Sequence, residues 1–243
     1  MTKPDYSLHY RRFHDDSEAH ARNMAAGFIE TLAPFLPTDP TAPIVDVGCG
    51  FGFALRAMRE LGYSNILGVE TSPQQAEQSR KAGFKVHLVE DSAKWLTEIH
   101  GKFAFALLLD VIEHITPADQ ISFLAKLRQS LRADGRLLLT TPNANSPLAS
   151  RWRYIDHTHY TSFTEHSLYY ILANAGFHSI TIANGHGIGR MPRRLWRRDI
   201  RHAWRKWFIR WCWLQVFKAE LPWEDHDRIS FELNLRALAS TTL

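Results

Sequence analysis

The chain has 243 residues, 45% of them hydrophobic, and a net charge of +4. Such apolar content excludes a disordered chain and supports a sizeable core. Two distant cysteines, Cys49 and Cys212, exclude a disulfide framework and fit a reducing compartment.

The opening "MTKPDYSLHYRRFHDD" lacks the apolar core of a signal peptide, and the run "FAFALLL" is too short to span a bilayer. A cytoplasmic protein is expected, at most peripheral on the inner face of a membrane. Residues 8–36 read as a helical lead-in, because "EAHARNMAAGFIETLAPFL" places apolar residues at helical spacing. It is expected to cover a sheet, with Tyr6, His9 and Tyr10 as candidates for closing over a ligand. "APIVDVG" reads as a buried strand and "FALRAMRELG" as a helix closed by Gly62. "NILGVE" is a second strand. "SPQQAEQSRKAG" is a helix with Ser72 as N-cap and Pro73 in its first turn. "FKVHLVE" is a third strand. "FAFALLLD" is a fourth, without alternation and so buried on both faces. "TPADQISFLAKLRQSL" is a helix, "GRLLLTTP" a strand, "TEHSLYYILANAG" a helix and "FHSITIAN" a strand. "RISFELNLRALA" reads as a last strand. This alternation predicts an α/β fold with a doubly wound, mostly parallel sheet and right-handed crossovers.

The most specific chemical signal is "IVDVGCGFGFAL", residues 44–55. A hydrophobic strand ends near Asp46, and Gly48, Gly50 and Gly52 follow before a helix. Glycines allow positive φ and close approach of a ligand to the backbone. Dinucleotide loops use G-x-G-x-x-G, whose third glycine serves a pyrophosphate. Here Phe53 takes that place. Glu70 ends the second strand 18 residues beyond Gly52, placed to take both hydroxyls of a ribose. The layout suits an adenosyl ligand without a pyrophosphate, so NAD is not expected to bind.

On these motifs the chain resembles the class I S-adenosylmethionine-dependent methyltransferases over roughly residues 40–185. "VDVGCGFG" is similar to the family's first motif, "LLLDVIEHI" to its fourth-strand motif and "LRADGRLLLTTPN" to its fifth-strand region. The resemblance implies a seven-stranded Rossmann-like methyltransferase fold. It would form one domain over 1–243, with residues 190–220 inserted as a helix before the last strand. It implies S-adenosylmethionine as cofactor, bound by Asp46, Gly48, Cys49, Gly50, Glu70, Thr71, Asp91, Ser92 and Asp110. Asp91 would receive the adenine amino group, and Asp46 would lie near the methionine amino group. Ala104 stands where the family often has Asp after the fourth-strand Phe.

The order "TPNANSP…RYIDHTHYTSFTEHSLYYILANAGF" resembles, more narrowly, the ubiquinone-pathway O-methyltransferases and related enzymes of surface-polysaccharide and secondary metabolism. The resemblance implies that residues 153–168 roof the acceptor pocket, at the carboxyl ends of the strands. Three readings of the histidines stay open. His157 and His159 are two apart with no cysteine near, a poor zinc spacing. Asp110, Glu113 and His114 in "DVIEH" resemble an acidic pattern that suits magnesium; no metal is predicted as required. A histidine can also act as a base for an acceptor hydroxyl, since its ordinary pKa is near ~6.5. His157 and His159 are the first candidates and His114 the rival. The plain alternative is bracing of the loop by hydrogen bonds. Cys49 is not read as a nucleophile, because direct displacement needs none.

The charge is uneven. Between Arg190 and Lys218 ten Lys/Arg face one acid, Asp199, and the remainder carries a net of −5. Within residues 193–218, Trp196, Ile200, Trp204, Trp207, Trp211 and Leu214 recur every three or four residues. Arg194, Arg198, Arg201 and Arg205 keep the same period. The pattern fits an interfacial membrane helix, or a helix packed on the domain or on a second subunit. Nucleic acid is a weaker fit, with no recognised RNA module. The sequence leaves the oligomeric state open. The expected activity is methyl transfer, to a hydroxyl of a small or lipid-linked acceptor. The alternatives are N- or C-methylation, or a non-catalytic adaptor that binds membrane or RNA through the basic helix.

Overall fold

The computed structural model describes residues 12–15, 17–183, 198–226 and 229–243. Its strands are β1 (Ile44–Val47), β2 (Ile66–Glu70), β3 (Val86–Leu88), β4 (Phe103–Leu109), β5 (Leu131–Pro142), β6 (His178–Ala183) and β7 (Asn234–Ser240). They form one sheet in the order β3-β2-β1-β4-β5-β7-β6. Only β7 runs antiparallel to its neighbours; the others pair in parallel wherever they meet. The helices are α1 (Glu18–Leu32), α2 (Phe53–Glu60), α3 (Pro73–Lys81), α4 (Ser92–Thr97), α5 (Gln120–Ser130), α6 (Ala149–Tyr154), α7 (Glu165–Asn174) and α8 (Arg198–Glu220). Among the described residues, no helix is long and apolar enough to cross a membrane. Tyr6, His9, Tyr10, Arg194 and Trp196 lie outside the described residues.

The predicted continuous burial of the fourth strand has a direct cause. Ala106 and Leu108 of β4 join Leu137 and Leu139 of β5 in one core. Phe105 and Leu107 join Leu138 in a second core on the opposite face. Covered on both faces, β4 cannot alternate polar with apolar. All of these side chains are fully buried, and each Leu or Phe among them contributes about 1.5–3 kcal/mol relative to exposure.

Caps fall where local chemistry requires them. Ser17 accepts from the His20 amide at the start of α1. Ser72 caps α3, with Pro73 following. Thr164 and Ser167 form a reciprocal capping box on α7.

Four predicted boundaries move, one of them the start of the fifth strand, which lies at Leu131 rather than Gly135. The helix expected from Thr116 begins at Gln120, because Thr116 and Asp119 first close a turn. The Asp119 amide donates to the Thr116 carbonyl at 2.8 Å, and the Thr116 hydroxyl donates to the Asp119 carboxylate at 2.6 Å. The third strand shrinks to Val86–Leu88. The last strand, expected from Arg228, pairs only from Asn234. Just before it, the Asn143 side-chain amide takes the carbonyls of Ser230 and Glu232, each at 2.8 Å. Those carbonyls are thereby withdrawn from the ladder. The short helices α4 and α6 have too little periodicity to announce themselves in the sequence.

Helix α8 corrects the expected tryptophan stripe. Trp204, Trp207, Leu214 and Phe217 are half-buried, but the inward row passes through Arg210, not Trp211. Arg210 pairs with Glu232 at 3.5 Å. Phe217 packs edge-on against Phe231, with ring centroids 5.1 Å apart, and the Trp213 indole donates to the Asn145 carbonyl at 2.9 Å. Trp211 is instead 40% exposed and stacks with Phe208, 56% exposed.

Candidate active site

A cavity of about 1010 Å³ opens at the carboxyl ends of β1, β2 and β4. It is at the upper end of the range common for small-molecule sites, roughly 300–1,000 Å³. Here strand order reverses, since β2 lies on one side of β1 and β4 on the other.

The floor is the turn after β1. Gly48 has φ 80° and Gly52 φ 77°. A Cβ on Gly48 would meet a Val111 methyl at 2.5 Å, and one on Gly52 would meet the Ser79 hydroxyl at 2.2 Å. Both positions therefore need glycine for space as well as for backbone conformation. Asp46 lies beside this turn, 2% exposed, with one carboxylate oxygen lacking any hydrogen-bond partner. Burial, and then the nearby charge of Glu70, push its pKa up to about 7. Burial likewise pushes the Cys49 thiol up, so it stays protonated.

Glu70 does more than its position in the sequence suggested. One carboxylate oxygen accepts the Gly50 amide at 2.8 Å; the other accepts the Thr71 and Ser72 amides, each at 2.8 Å. The side chain thus ties the turn after β1 to the turn after β2. A carboxylate has about four lone-pair positions. Three are used by backbone amides of the two turns. Thr71 and Ser72 line the same wall. Asp91 and Ser92 do not line the cavity. Asp91 caps α4, accepting the amides of Ala93 and Lys94 at 2.8 and 3.2 Å.

The opposite end of the cavity carries the polar cluster. Asp110, at φ 53°, accepts the Thr140 hydroxyl at 3.0 Å and the Asn234 amide at 2.8 Å. Asp110 is exposed to the cavity, and partial dehydration by the surrounding walls raises its carboxyl above the ordinary carboxylate range. Glu113 is fully buried. One of its oxygens accepts the Thr141 hydroxyl at 3.0 Å, and the other has no partner. Burial first, then the Asp110 charge, hold its carboxyl well above the usual carboxylate range. The rings of His114 and His159 meet edge to face with centroids 4.6 Å apart. Burial holds His159 below its ordinary pKa, and its Nδ1 has no hydrogen-bond partner.

The expected histidines are thus separated. His114 and His159 line the cavity; His157 is exposed and does not. His157 is two residues from His159, but the roof turns between them. The Tyr160 amide donates to the Glu113 carbonyl at 2.7 Å, which pulls the 158–160 segment inward. The close trio is Glu113, His114 and His159, with ligand atoms within 4.8 Å of one another. The sequence had grouped Asp110 with Glu113 and His114 instead. Trp152 and Asn234 also line the cavity, joined at 2.7 Å from indole to amide oxygen, and sequence reasoning missed both. They are 82 residues apart, so no local pattern links them.

Residues 18–182 match a family model described as a methyltransferase domain. The chain belongs to the class I S-adenosylmethionine-dependent methyltransferases. A ubiquinone biosynthesis O-methyltransferase of Cereibacter sphaeroides (strain ATCC 17029 / ATH 2.4.9) is 28% identical to it over 131 residues. That match covers 51% of this chain and 50% of the relative. The chain thus spans about half the length of the curated relatives it matches. A S-adenosylmethionine-dependent methyltransferase from Archaeoglobus fulgidus shares the fold at TM-score 0.68 and 16% identity, covering 98% of this chain and 100% of that one. A Thermotoga maritima methyltransferase, described as a possible histamine N-methyltransferase, does so at 0.62 and 17%, covering 97% and 96%.

The methyltransferase cleft fits this cofactor. Its glycine turn lines the cavity with Gly48, Cys49 and Gly50, and the unpartnered oxygen of Asp46 suits a cationic amino group. A linkage follows. Without ligand, the Asp46 carboxyl holds a proton below about pH 7. A cationic partner favours the ionised form, so binding releases that proton. Affinity for S-adenosylmethionine should fall by up to about tenfold per pH unit below that value. Calorimetry from pH 5.5 to 8 checks this, and Asp46→Asn should flatten the dependence. For the ligand-free fold the sign is opposite. A raised folded pKa means stability is lost as pH rises from the ordinary carboxylate range towards about 7.

Proposed function

We propose that the protein transfers a methyl group from S-adenosylmethionine to a hydroxyl of a small or lipid-linked acceptor. One observation carries this reading: a single cavity runs from the glycine turn to His114 and His159. The cofactor supplies a methyl group on a sulfonium, already a good electrophile. The protein's task is chiefly alignment, an effect worth several kcal/mol. Val111, Pro142, Trp152 and Ile155 form an apolar wall beside the histidines, suited to the body of an acceptor. A histidine takes the hydroxyl proton as the oxygen bonds to the methyl carbon, and the carbon–sulfur electron pair stays on sulfur. The O-methyltransferase names of the curated relatives support oxygen as the receiving atom. The test is incubation of the protein and labelled S-adenosylmethionine with a cell extract, followed by identification of the product. An O-methyl product is expected. Label on nitrogen or carbon would overturn the choice of atom, and no transfer at all would favour a cofactor-binding adaptor.

A second reading concerns α8. Phe208, Ile209, Trp211 and Val216 are exposed, as are Arg201, Arg205, Lys206 and Lys218. Apolar and cationic side chains on one exposed helix suit an anionic membrane surface. Each cation near anionic lipid gains about 1 kcal/mol. Flotation with vesicles containing phosphatidylglycerol is expected to carry the protein, and salt is expected to weaken the association. Phe208→Glu with Trp211→Glu should abolish it and leave cofactor affinity unchanged. Equal flotation with neutral vesicles, or none with either, removes this reading.

A further inference from the structure

The proposed function leaves open which histidine of the pair is the base and what prepares it. Hydrogen-bond accounting in the roof answers both. His114 Nδ1 and the Thr158 hydroxyl are 2.8 Å apart. The same hydroxyl donates to Asp156 Oδ1 at 2.7 Å, and the Thr158 amide donates to that oxygen at 2.8 Å. Asp156 is 3% exposed, so water does not compete freely for it.

A hydroxyl has one proton. Here it is committed to Asp156, because a carboxylate only accepts. Towards His114 the Thr158 oxygen therefore offers a lone pair, and Nδ1 must be the donor. Neutral His114 is then the Nδ1–H tautomer, with its lone pair on Nε2. We propose that Asp156 and Thr158 are positioning residues that set this tautomer and ring orientation, making His114 Nε2 the group that takes the acceptor's proton. This rests on the methyl-transfer reading above.

Two further observations agree. Asp156 sits one hydroxyl away from the ring, so its negative charge favours the imidazolium formed when the proton arrives. The relay is also held against the turn that follows β4. Gln120, buried, donates to the Thr161 hydroxyl at 2.8 Å and to the Ile115 carbonyl at 3.1 Å, joining the roof segment to the turn that carries His114. His159 has no side-chain relay of this kind: only backbone groups of Trp152 and Arg153 approach its ring, and its Nδ1 makes no well-formed hydrogen bond. Its ring packs against that of His114. The arrangement works as a carboxylate–imidazole pair with a hydroxyl interposed, and the logic is that of any base oriented by a third group.

The experiment has an arm that does not need an acceptor. In ¹⁵N spectra of the wild-type protein, His114 is expected to show Nδ1 protonated and Nε2 bare at high pH. Thr158→Val should shift the ring towards the other tautomer, and Thr158→Ser should retain the wild-type signature. With an acceptor in hand, Thr158→Val should lower kcat about tenfold or more, with KM and cofactor Kd within about twofold. Thr158→Ser should restore most of kcat, and Asp156→Asn should behave like Thr158→Val. A wild-type His114 protonated at Nε2 overturns the proposal, as does a Thr158→Val enzyme with full kcat. So does activity lost to a chelator and restored by magnesium, which would place Nε2 on a cation. If no acceptor is ever methylated, the function proposed above fails, and the tautomer measurement still tests the relay.

Discussion

Glu70→Ala is expected to remove most of the cofactor affinity and to lower the melting temperature together. The carboxylate accepts three backbone amides from two separate turns. Hydrogen bonds to a charged group contribute roughly 1.5–3 kcal/mol each. Their loss leaves donors unsatisfied at a residue only 6% exposed. A net cost of about 3–5 kcal/mol is reasonable once the turns relax towards water. For a chain of this size each kcal/mol lowers the melting temperature by about 2–4 °C, so a fall of roughly 10 °C follows. The Gly50 and Thr71 amides belong to the cavity wall, so the same slackening should weaken S-adenosylmethionine by about 100-fold or more. Glu70→Gln keeps one good acceptor and should fall between. Calorimetry and thermal melts on the three proteins check this. An unchanged melting temperature with weakened cofactor would mean that Glu70 acts on the ligand directly rather than through the turns.

His114→Ala is expected to lower kcat by about 10²-fold or more while cofactor affinity stays within about twofold. His159→Ala should cost less, since its ring supports His114 without a relay of its own. His157→Ala should be close to wild type, because that side chain is exposed outside the cavity. Steady-state rates of label transfer with the product identified above provide the measurement. A larger loss for His159→Ala than for His114→Ala would reverse the assignment within the pair. A loss of equal size for His157→Ala would show that the roof rearranges when an acceptor binds.

Much of the fold was legible because its causes are local. The β1 turn needs glycine where φ is positive, and Gly48 and Gly52 mark it. Ser72 followed by Pro73 starts a helix wherever it lies, since the cap and the missing amide are both short-range. Unbroken "FAFALLL" means a strand covered on both faces, as β4 is. The glycine-turn end of the cavity was legible in part for the same reason, as a turn and the acid ending the next strand, whereas Asp91 and Ser92 do not line it.

At the histidine end the sequence named Asp110, His114 and His159 but not their partners, because its bonds join residues far apart in the chain. His114 meets Thr158 across 44 residues, and Asn234 meets Asp110 across 124. The sequence determined that a histidine-rich segment follows the fifth strand. Only the tertiary structure decided that His159 enters the cavity and His157 does not, because the Thr158 bonds to Asp156 and the Tyr160 amide bond to the Glu113 carbonyl set the turn between them. The same holds for α8. Its periodicity determined a helix with aromatic and basic faces. Which row packs was decided by Glu232 and Phe231, which bring Arg210 and Phe217 inward and leave Trp211 outside. Local propensity acts within a turn or two of chain, whereas burial and hydrogen-bond partnership are properties of whichever surfaces the fold brings together.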